Sequence, residues 1–204
     1  VHDLAHPVRP RSTIGMLVYG LALRRERSLP PVTLLSCDNL HANGDTLRSL
    51  VLAFALRVDV GLTAWIDNHC TFPNSMVDRI VPGTQDEDRA RVAQRLGFED
   101  AWPVVGEPIL NWVIEDKFAA GRPAWDAAGA SFVRNAAPYE RLKLRMVNAP
   151  HSAFAYLGSM LGLRTNSEAA ATPVLRRYVD DMMRLELAPT LRGVPESGLD
   201  EYRQ

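Results

Sequence analysis

The chain has 204 residues, 47% of them hydrophobic and 23% charged, enough material for one buried core or a domain and a half. A formal net charge of -1 excludes a global electrostatic attraction to nucleic acid or to an anionic membrane surface. No apolar run nears the ~20 residues of a bilayer-spanning helix, and two cysteines, Cys37 and Cys70, are too few for a disulfide framework, so free thiols in a reducing cytoplasm are expected.

Val1 to Arg11 mixes His, Asp and Arg and does not read as a signal peptide. With no initiator Met, and an equally abrupt end at Tyr202-Arg203-Gln204, the chain is expected to be a fragment at both ends. Pro10, Ser12 and Thr13 precede a stretch from Ile14 to Arg27 with Leu17, Gly20, Leu21 and Leu23 at helical spacing, closed by a basic cluster. After Pro30-Pro31, the apolar run Val32 to Ser36 has the pattern of a strand buried on both faces. The polar loop Cys37 to Leu40 and a turn at Asn43-Gly44-Asp45 lead into a helix over Thr46 to Leu56.

Trp65 to Arg79 reads as irregular and polar, Asp86 to Leu96 as an exposed charged helix, and Glu107 to Lys117 as a strand with a helical alternative. Gly121-Arg122-Pro123 is a turn, followed by a short helix from Trp125 to Ala130. From Pro138 the pattern is helical, Tyr139 to Leu163 with breaks and then Pro173 to Glu186. The early alternation of helix, buried strand, polar loop and helix predicts a parallel α/β sheet. In such sheets the ligand site lies beyond the carboxyl ends of the strands, which is where Ser36 to Asn39 would fall. The change of composition near Pro138 divides the chain into 1–137 and 138–204.

The densest group of chemically capable side chains lies in Pro138 to Ser152, which holds Glu140, Lys143, Asn148 and His151. Residues seven or eight apart return to one helix face, so Lys143 and His151 could look into one cleft. Oxidising a secondary alcohol by hydride transfer requires a base for the hydroxyl proton and donors for the oxygen as charge develops. Burial of a lysine disfavours its charged form and so suits it to be that base; asparagine amides are uncharged donors, and an imidazole can orient a hydroxyl. The same residue types on a helix also serve as surface or capping groups, and Pro150 interrupts a regular helix just before His151. Asn39 could cap the following helix, and Asp78 could pair with Arg79. His69 and Cys70 have no second pair at ligand spacing, so no metal site is expected. Trp65, Trp102, Trp112 and Trp125 read as core or interface packing.

The segment Lys143-Leu-Arg-Met-Val-Asn148-Ala-Pro-His151-Ser resembles the Lys-x4-Asn-x2-His signature of the polyol-specific long-chain dehydrogenases, the family of mannitol 2-dehydrogenase, fructuronate reductase (mannonate oxidoreductase) and tagaturonate reductase. Ser36-Cys-Asp-Asn-Leu40 with Asn43-Gly44, Phe72 to Arg79, and Trp112 to Phe118 with Gly121-Arg-Pro123 are similar to other stretches of that family and occur in family order. The resemblance implies the latter part of a Rossmann-like parallel-sheet domain over 1–137, followed by the start of a mainly α-helical catalytic domain over 138–204. It implies metal-independent hydride transfer between NAD(H) and a polyol or sugar acid, mannitol with fructose or mannonate with fructuronate. Lys143 would be the general acid/base, Asn39 and Asn148 the oxyanion pocket, His151 the substrate-orienting group and Glu140 the group that passes the proton to solvent. Asn39 and Asp78 would border the nicotinamide.

Ala149-Pro150 departs from the small residues that the family usually places between the asparagine and the histidine. No Gly-rich phosphate loop opens the sequence, so NAD is not distinguished from NADP. The expected partner is a small polyol or keto-sugar, with neither nucleic acid nor membrane, in an oligomeric state that the sequence leaves open. A non-catalytic helical scaffold, a remnant without the cofactor loop, is the reading from a different class.

Overall fold

The computed structural model describes residues 2–108 and 111–192. Of the strand expected over Glu107 to Lys117, Ile109 and Leu110 lie outside the described residues, as do Val1 and the closing Tyr202 to Gln204. After a short helix α1, His2–Ala5, helix α2 runs over Thr13–Glu26. The Ser12 hydroxyl accepts the Gly15 N–H at 3.0 Å at its start, and Arg24 and Arg25 occupy its last turn, where cations meet the negative end of the helix dipole. Helices α3, Asn43–Val58, and α4, Val60–His69, follow. Asp59, the single residue between them, caps α4 by accepting the Leu62 N–H and pairs with Arg25 of α2 at 3.0 Å.

These three helices close on one core. Val18 and Leu21 of α2, Val51 and Ala55 of α3, and Leu62 and Ile66 of α4 are all buried, with Leu34 and Phe72 between them. Each such aliphatic side chain contributes roughly 1.5–3 kcal/mol on leaving water. Leu34 comes from the segment read as a strand. That segment makes a single parallel bridge, Thr33 to Thr71, with Leu34 N–H donating to Thr71 O at 2.9 Å. Thr71 N–H also donates to Val32 O at 3.4 Å, and Ser36 O accepts from the Asn43 and Ser75 side chains, so the run packs on the core without becoming a strand among the described residues.

The sheet is also mixed rather than parallel. Strand β1, Ser75–Asp78, pairs antiparallel with β2, Asn111–Glu115, which pairs in parallel with β3, Ser131–Val133. The stretch Trp65 to Arg79, expected to be irregular, therefore holds the end of α4 and all of β1. Its polar composition hid both: a helix whose outer face is wet and a strand of four residues leave little periodicity to read.

Helix α5, Asp86–Leu96, has the bounds expected of it and no buried residue; three acids in its first turn and Gly97 at φ 78° just beyond it mark its ends. A single 3₁₀ turn, Trp125–Ala128, precedes β3. Trp112 stacks on Trp125 with centroids 5.1 Å apart, and Trp65 stacks on His69 at 5.7 Å. Trp102 is not core: it is 85% exposed.

The helical part opens with α6, Ala137–Lys143, passes through a π turn at Leu144–Asn148 and continues as α7, Ala149–Met160. Pro150 lies in the first turn of α7 and does not end the run. In a regular helix its ring would meet the carbonyl four residues back; here the preceding turn bonds Ala149 N–H to Leu144 O, five residues back, and the widened turn makes room. Helix α8, Asn166–Ala171, begins with a Thr165–Glu168 capping box, and α9, Pro173–Asp181, runs into a second π turn, Met182–Leu187. No described helix is long and apolar enough to cross a membrane. Both cysteines are free, Cys37 exposed and Cys70 buried.

Two consequences are measurable. A Cβ on Gly44 would stand 2.4 Å from the Pro73 carbonyl oxygen, a backbone atom with little freedom to retreat. Gly44→Ala is expected to destabilise the protein by about 2 kcal/mol, read as a lower unfolding temperature; an unchanged temperature would show that the approach is not tight. The Asp59 carboxyl is held below its ordinary range first by the Leu62 N–H and then by Arg25, and Asp3 is held low by Ser12, the Arg11 N–H and His2. A depressed folded-state value stabilises the fold above the unfolded value, near pH 4, and the contribution is lost as pH falls below it. Thermal stability is expected to hold from neutral pH to about pH 5 and to fall below about pH 4, with a shallower acid limb in Asp59→Asn.

Candidate active site

A buried asparagine builds the floor of the site. Asn43, 2% exposed at the start of α3, donates through Nδ2 to Ser36 O at 3.2 Å, Asp38 O at 3.0 Å and Ser75 Oγ at 3.2 Å. Its Oδ1 accepts the Ser75 N–H at 2.9 Å, and Ser75 Oγ donates to Ser36 O at 2.6 Å. One amide thus ties the loop 36–42 to the first residue of β1. The loop ends at Ala42, held at φ 44° and ψ 56°, a left-handed conformation that a residue with a Cβ adopts only under constraint.

Loop 36–42 carries Asn39, and α6 brings Lys143 to it. Lys143 Nζ donates to Asn39 Oδ1 at 2.9 Å, joining residues 104 positions apart, and Lys143 is only 6% exposed. An ammonium only donates, so it fixes the Asn39 amide with its oxygen toward the lysine and its NH2 turned away. The position that caps α3 is Ala42, and no side chain caps that helix, so Asn39 is committed to the lysine and not to a helix start.

Glu140, one turn before Lys143, grips the same loop. Its Oε1 meets His41 Nδ1 at 2.7 Å, and its Oε2 accepts the Ala42 N–H at 3.4 Å. Asp38, Asn39, His41, Glu140 and Lys143 border one hollow of about 80 Å³ against Ser75–Val77. Asp78 closes β1, half-buried and in register with Asn111.

A second carboxylate fixes the other end of α6. Glu115, 4% exposed at the end of β2, accepts from Asn74 N–H at 3.2 Å and Ala136 N–H at 3.3 Å, and pairs with Lys117 Nζ at 2.9 Å. Ala136 is the residue on which α6 starts, so β1, β2 and the lysine-bearing helix are joined through one buried side chain.

Asn148 and His151 lie farther along the same run. Asn148 closes the π turn, and its Oδ1 is buried without a hydrogen-bond partner, an acceptor that requires a donor from outside the described residues. His151 is exposed and borders a separate, larger hollow with Met146, Pro150, Phe154, Arg176 and Asp180. An eight-residue step overshoots two turns of α-helix by about 0.8 residue, and the π turn takes up about one residue. That keeps Lys143 and His151 close to two full turns apart, yet in the described chain they face different hollows and not one cleft.

Asn43, Ser75, Glu115 and His41 were not singled out by sequence reasoning. Asn43-Gly44 reads as a turn and, like Glu115 within Trp112 to Phe118, falls in a stretch that resembles the family, but neither side chain is given a role there; Glu115 is a usable signal, because a buried carboxylate requires partners. Among the described residues, no three or more His, Cys, Asp and Glu side chains converge as a metal ion would require.

The chain has relatives among known proteins. Residues 5–127 match the mannitol dehydrogenase Rossmann domain, and residues 135–204 the mannitol dehydrogenase C-terminal domain. The chain is 44% identical over 203 residues to a mannitol 2-dehydrogenase of Phaeosphaeria nodorum, covering 98% of this chain and 36% of that protein. It is 43% identical over 201 residues to D-mannonate oxidoreductase of Escherichia coli, covering 98% and 41% respectively. Among solved structures, the Pseudomonas fluorescens mannitol 2-dehydrogenase in ternary complex with NAD and D-mannitol superposes with a TM-score of 0.83 at 40% identity, over 100% of this chain and 43% of that one. A substrate-free D-sorbitol dehydrogenase superposes with a TM-score of 0.86 at 32% identity, over 99% and 43%. The chain thus spans about two fifths of the length of the relatives it matches. Its partial Rossmann-like sheet, its helical continuation and both family matches agree that the chain belongs to the mannitol dehydrogenase family.

Proposed function

We propose that the protein is an NAD-dependent oxidoreductase that interconverts a polyol or sugar acid with its keto partner, with Lys143 as general acid/base and no metal ion in the chemistry. Residues 1–137 would be the latter part of the dinucleotide-binding domain and 138–204 the start of the catalytic domain. The observation that carries the reading is the Lys143–Asn39 hydrogen bond of 2.9 Å, which joins a buried lysine to an amide from the other part of the chain. The named relatives act in the same direction: one is a mannitol 2-dehydrogenase and another a D-mannonate oxidoreductase.

The residues present suit a nicotinamide and an alcohol by their donor chemistry. Lys143 offers a hydrogen-bond donor, the Asn39 NH2 offers a second on the far side of its amide, and the Asn148 Oδ1, unpartnered among the described residues, offers a buried acceptor. Asn39 and Asp78 are the residues that would border the nicotinamide. When bound, the nicotinamide supplies the hydride acceptor or donor. Lys143 Nζ takes the hydroxyl proton during oxidation and returns it during reduction. The amides of Asn39 and Asn148 hold the oxygen as negative charge grows on it, the stabilisation that a metal gives in other alcohol dehydrogenases. For Asn148 this requires its NH2 toward the substrate, with the orphan Oδ1 receiving a donor from behind. His151 orients a substrate hydroxyl once the two hollows are joined into one site.

Mutation of the complete natural protein tests this. Lys143→Ala is expected to lower turnover by about a thousandfold or more, within the range for a general acid/base, while NADH affinity stays unchanged. Near wild-type turnover in that variant would sink the mechanism. A substrate panel of fructose, fructuronate and their relatives identifies the pair. If NADH at saturating concentration leaves the melting temperature of the complete protein unmoved, the protein is a non-catalytic scaffold instead.

A further inference from the structure

His41 has no part in the reading above, and its placement calls for one. For each alcohol oxidised, the carbinol C–H bond breaks with its electron pair leaving as hydride to the nicotinamide. The O–H bond breaks with its proton passing to Lys143 Nζ. Lys143 is 6% exposed, so that proton must cross to solvent before the next cycle. Glu140 borders the same hollow as Lys143, and about 80 Å³ is ample for a water between them. The Glu140 side chain is itself 16% exposed, whereas that of His41, 2.7 Å beyond it, is 80% exposed. The series runs from buried to half-buried to open in three steps.

The resemblance already implies that Glu140 passes the proton of Lys143 toward solvent; we propose that His41 is the outer station of that path, between Glu140 and bulk solvent. In the oxidation direction, Glu140 passes the proton from Oε1 to His41 Nδ1, and the imidazolium loses a proton from its exposed ring to solvent or buffer; reduction runs the same transfers backwards. Imidazole is the side chain suited to exchange protons near neutral pH. The charged groups around the hollow are Asp38, Glu140 and Lys143, two acids against one base, a balance that stabilises a proton entering the hollow from Lys143. The left-handed Ala42 serves the same end: it aims its N–H at Glu140 Oε2, 3.4 Å away, and leaves Oε1 for His41.

This inference rests on the dehydrogenase reading, and its test separates the two. In the complete protein, His41→Gln is expected to slow oxidation about tenfold in dilute buffer, with KM for the cofactor unchanged, and added imidazole to restore most of the loss. In a Glu140→Gln background the same change should have little further effect. Without cofactor, the proton held between Nδ1 and Glu140 should give a downfield proton resonance that both single variants remove. A wild-type protein active on the panel, with His41→Gln equally fast in dilute buffer or slowed without rescue by imidazole, overturns the proton path alone. A wild-type protein inactive on every alcohol and ketone of the panel overturns the dehydrogenase reading and the path together.

Discussion

The position of loop 36–42 depends on one buried amide. Asn43, itself 2% exposed, spends its NH2 on Ser36, Asp38 and Ser75 and its oxygen on the Ser75 backbone. An unpaired amide there would cost a few kcal/mol, so the loop has one favourable position, the one that satisfies it. Gly44 makes that position sterically possible by letting α3 start against the Pro73 carbonyl. Asn39 follows directly on Asp38, whose carbonyl Asn43 holds, so its place in the loop is set by this amide.

A second constraint complements it from the far side. Glu115 gathers the backbone of Asn74 and Ala136, fixing α6 relative to β1 and β2. Lys143 then approaches Asn39 from a helix whose start is anchored, and Glu140 meets a loop whose floor is anchored. The lysine orients the asparagine amide, but the backbone of each is positioned by other contacts. Their bond reports a geometry set elsewhere, and such preorganisation lets a charge develop with little rearrangement.

Much of this was legible in the sequence, for identifiable reasons. Helix α2 announced itself through Ser12, apolar spacing and a basic last turn, α3 through apolar spacing, and α5 through its charged composition. The motif around Lys143 and the loop around Asn39 stood out through their resemblance to a family, whereas their residue types alone left surface and capping roles open. What stayed hidden was non-local. Val32 to Ser36 has the composition of a central strand, but its backbone meets that of the single residue Thr71 and its last carbonyl meets side chains, and composition does not report pairing. Strand β1 is four residues long and follows a helix with little boundary signal. The π turn is a matter of hydrogen-bond register, with no residue type to mark it, and Pro150 suggested a break where the chain in fact widens and continues.

That widened turn carries a further consequence. Five residues, Leu144–Asn148, take up one position more than a regular helix would. Each residue of an α-helix turns the chain by about 100°, so deleting one would swing α7 and everything after it by that angle. Side-chain changes within these five positions are local events, whereas a change in their number is a rotation of the whole downstream body relative to Lys143. The segment is therefore a phase-setting spacer: free in composition on its outer face, and fixed in length.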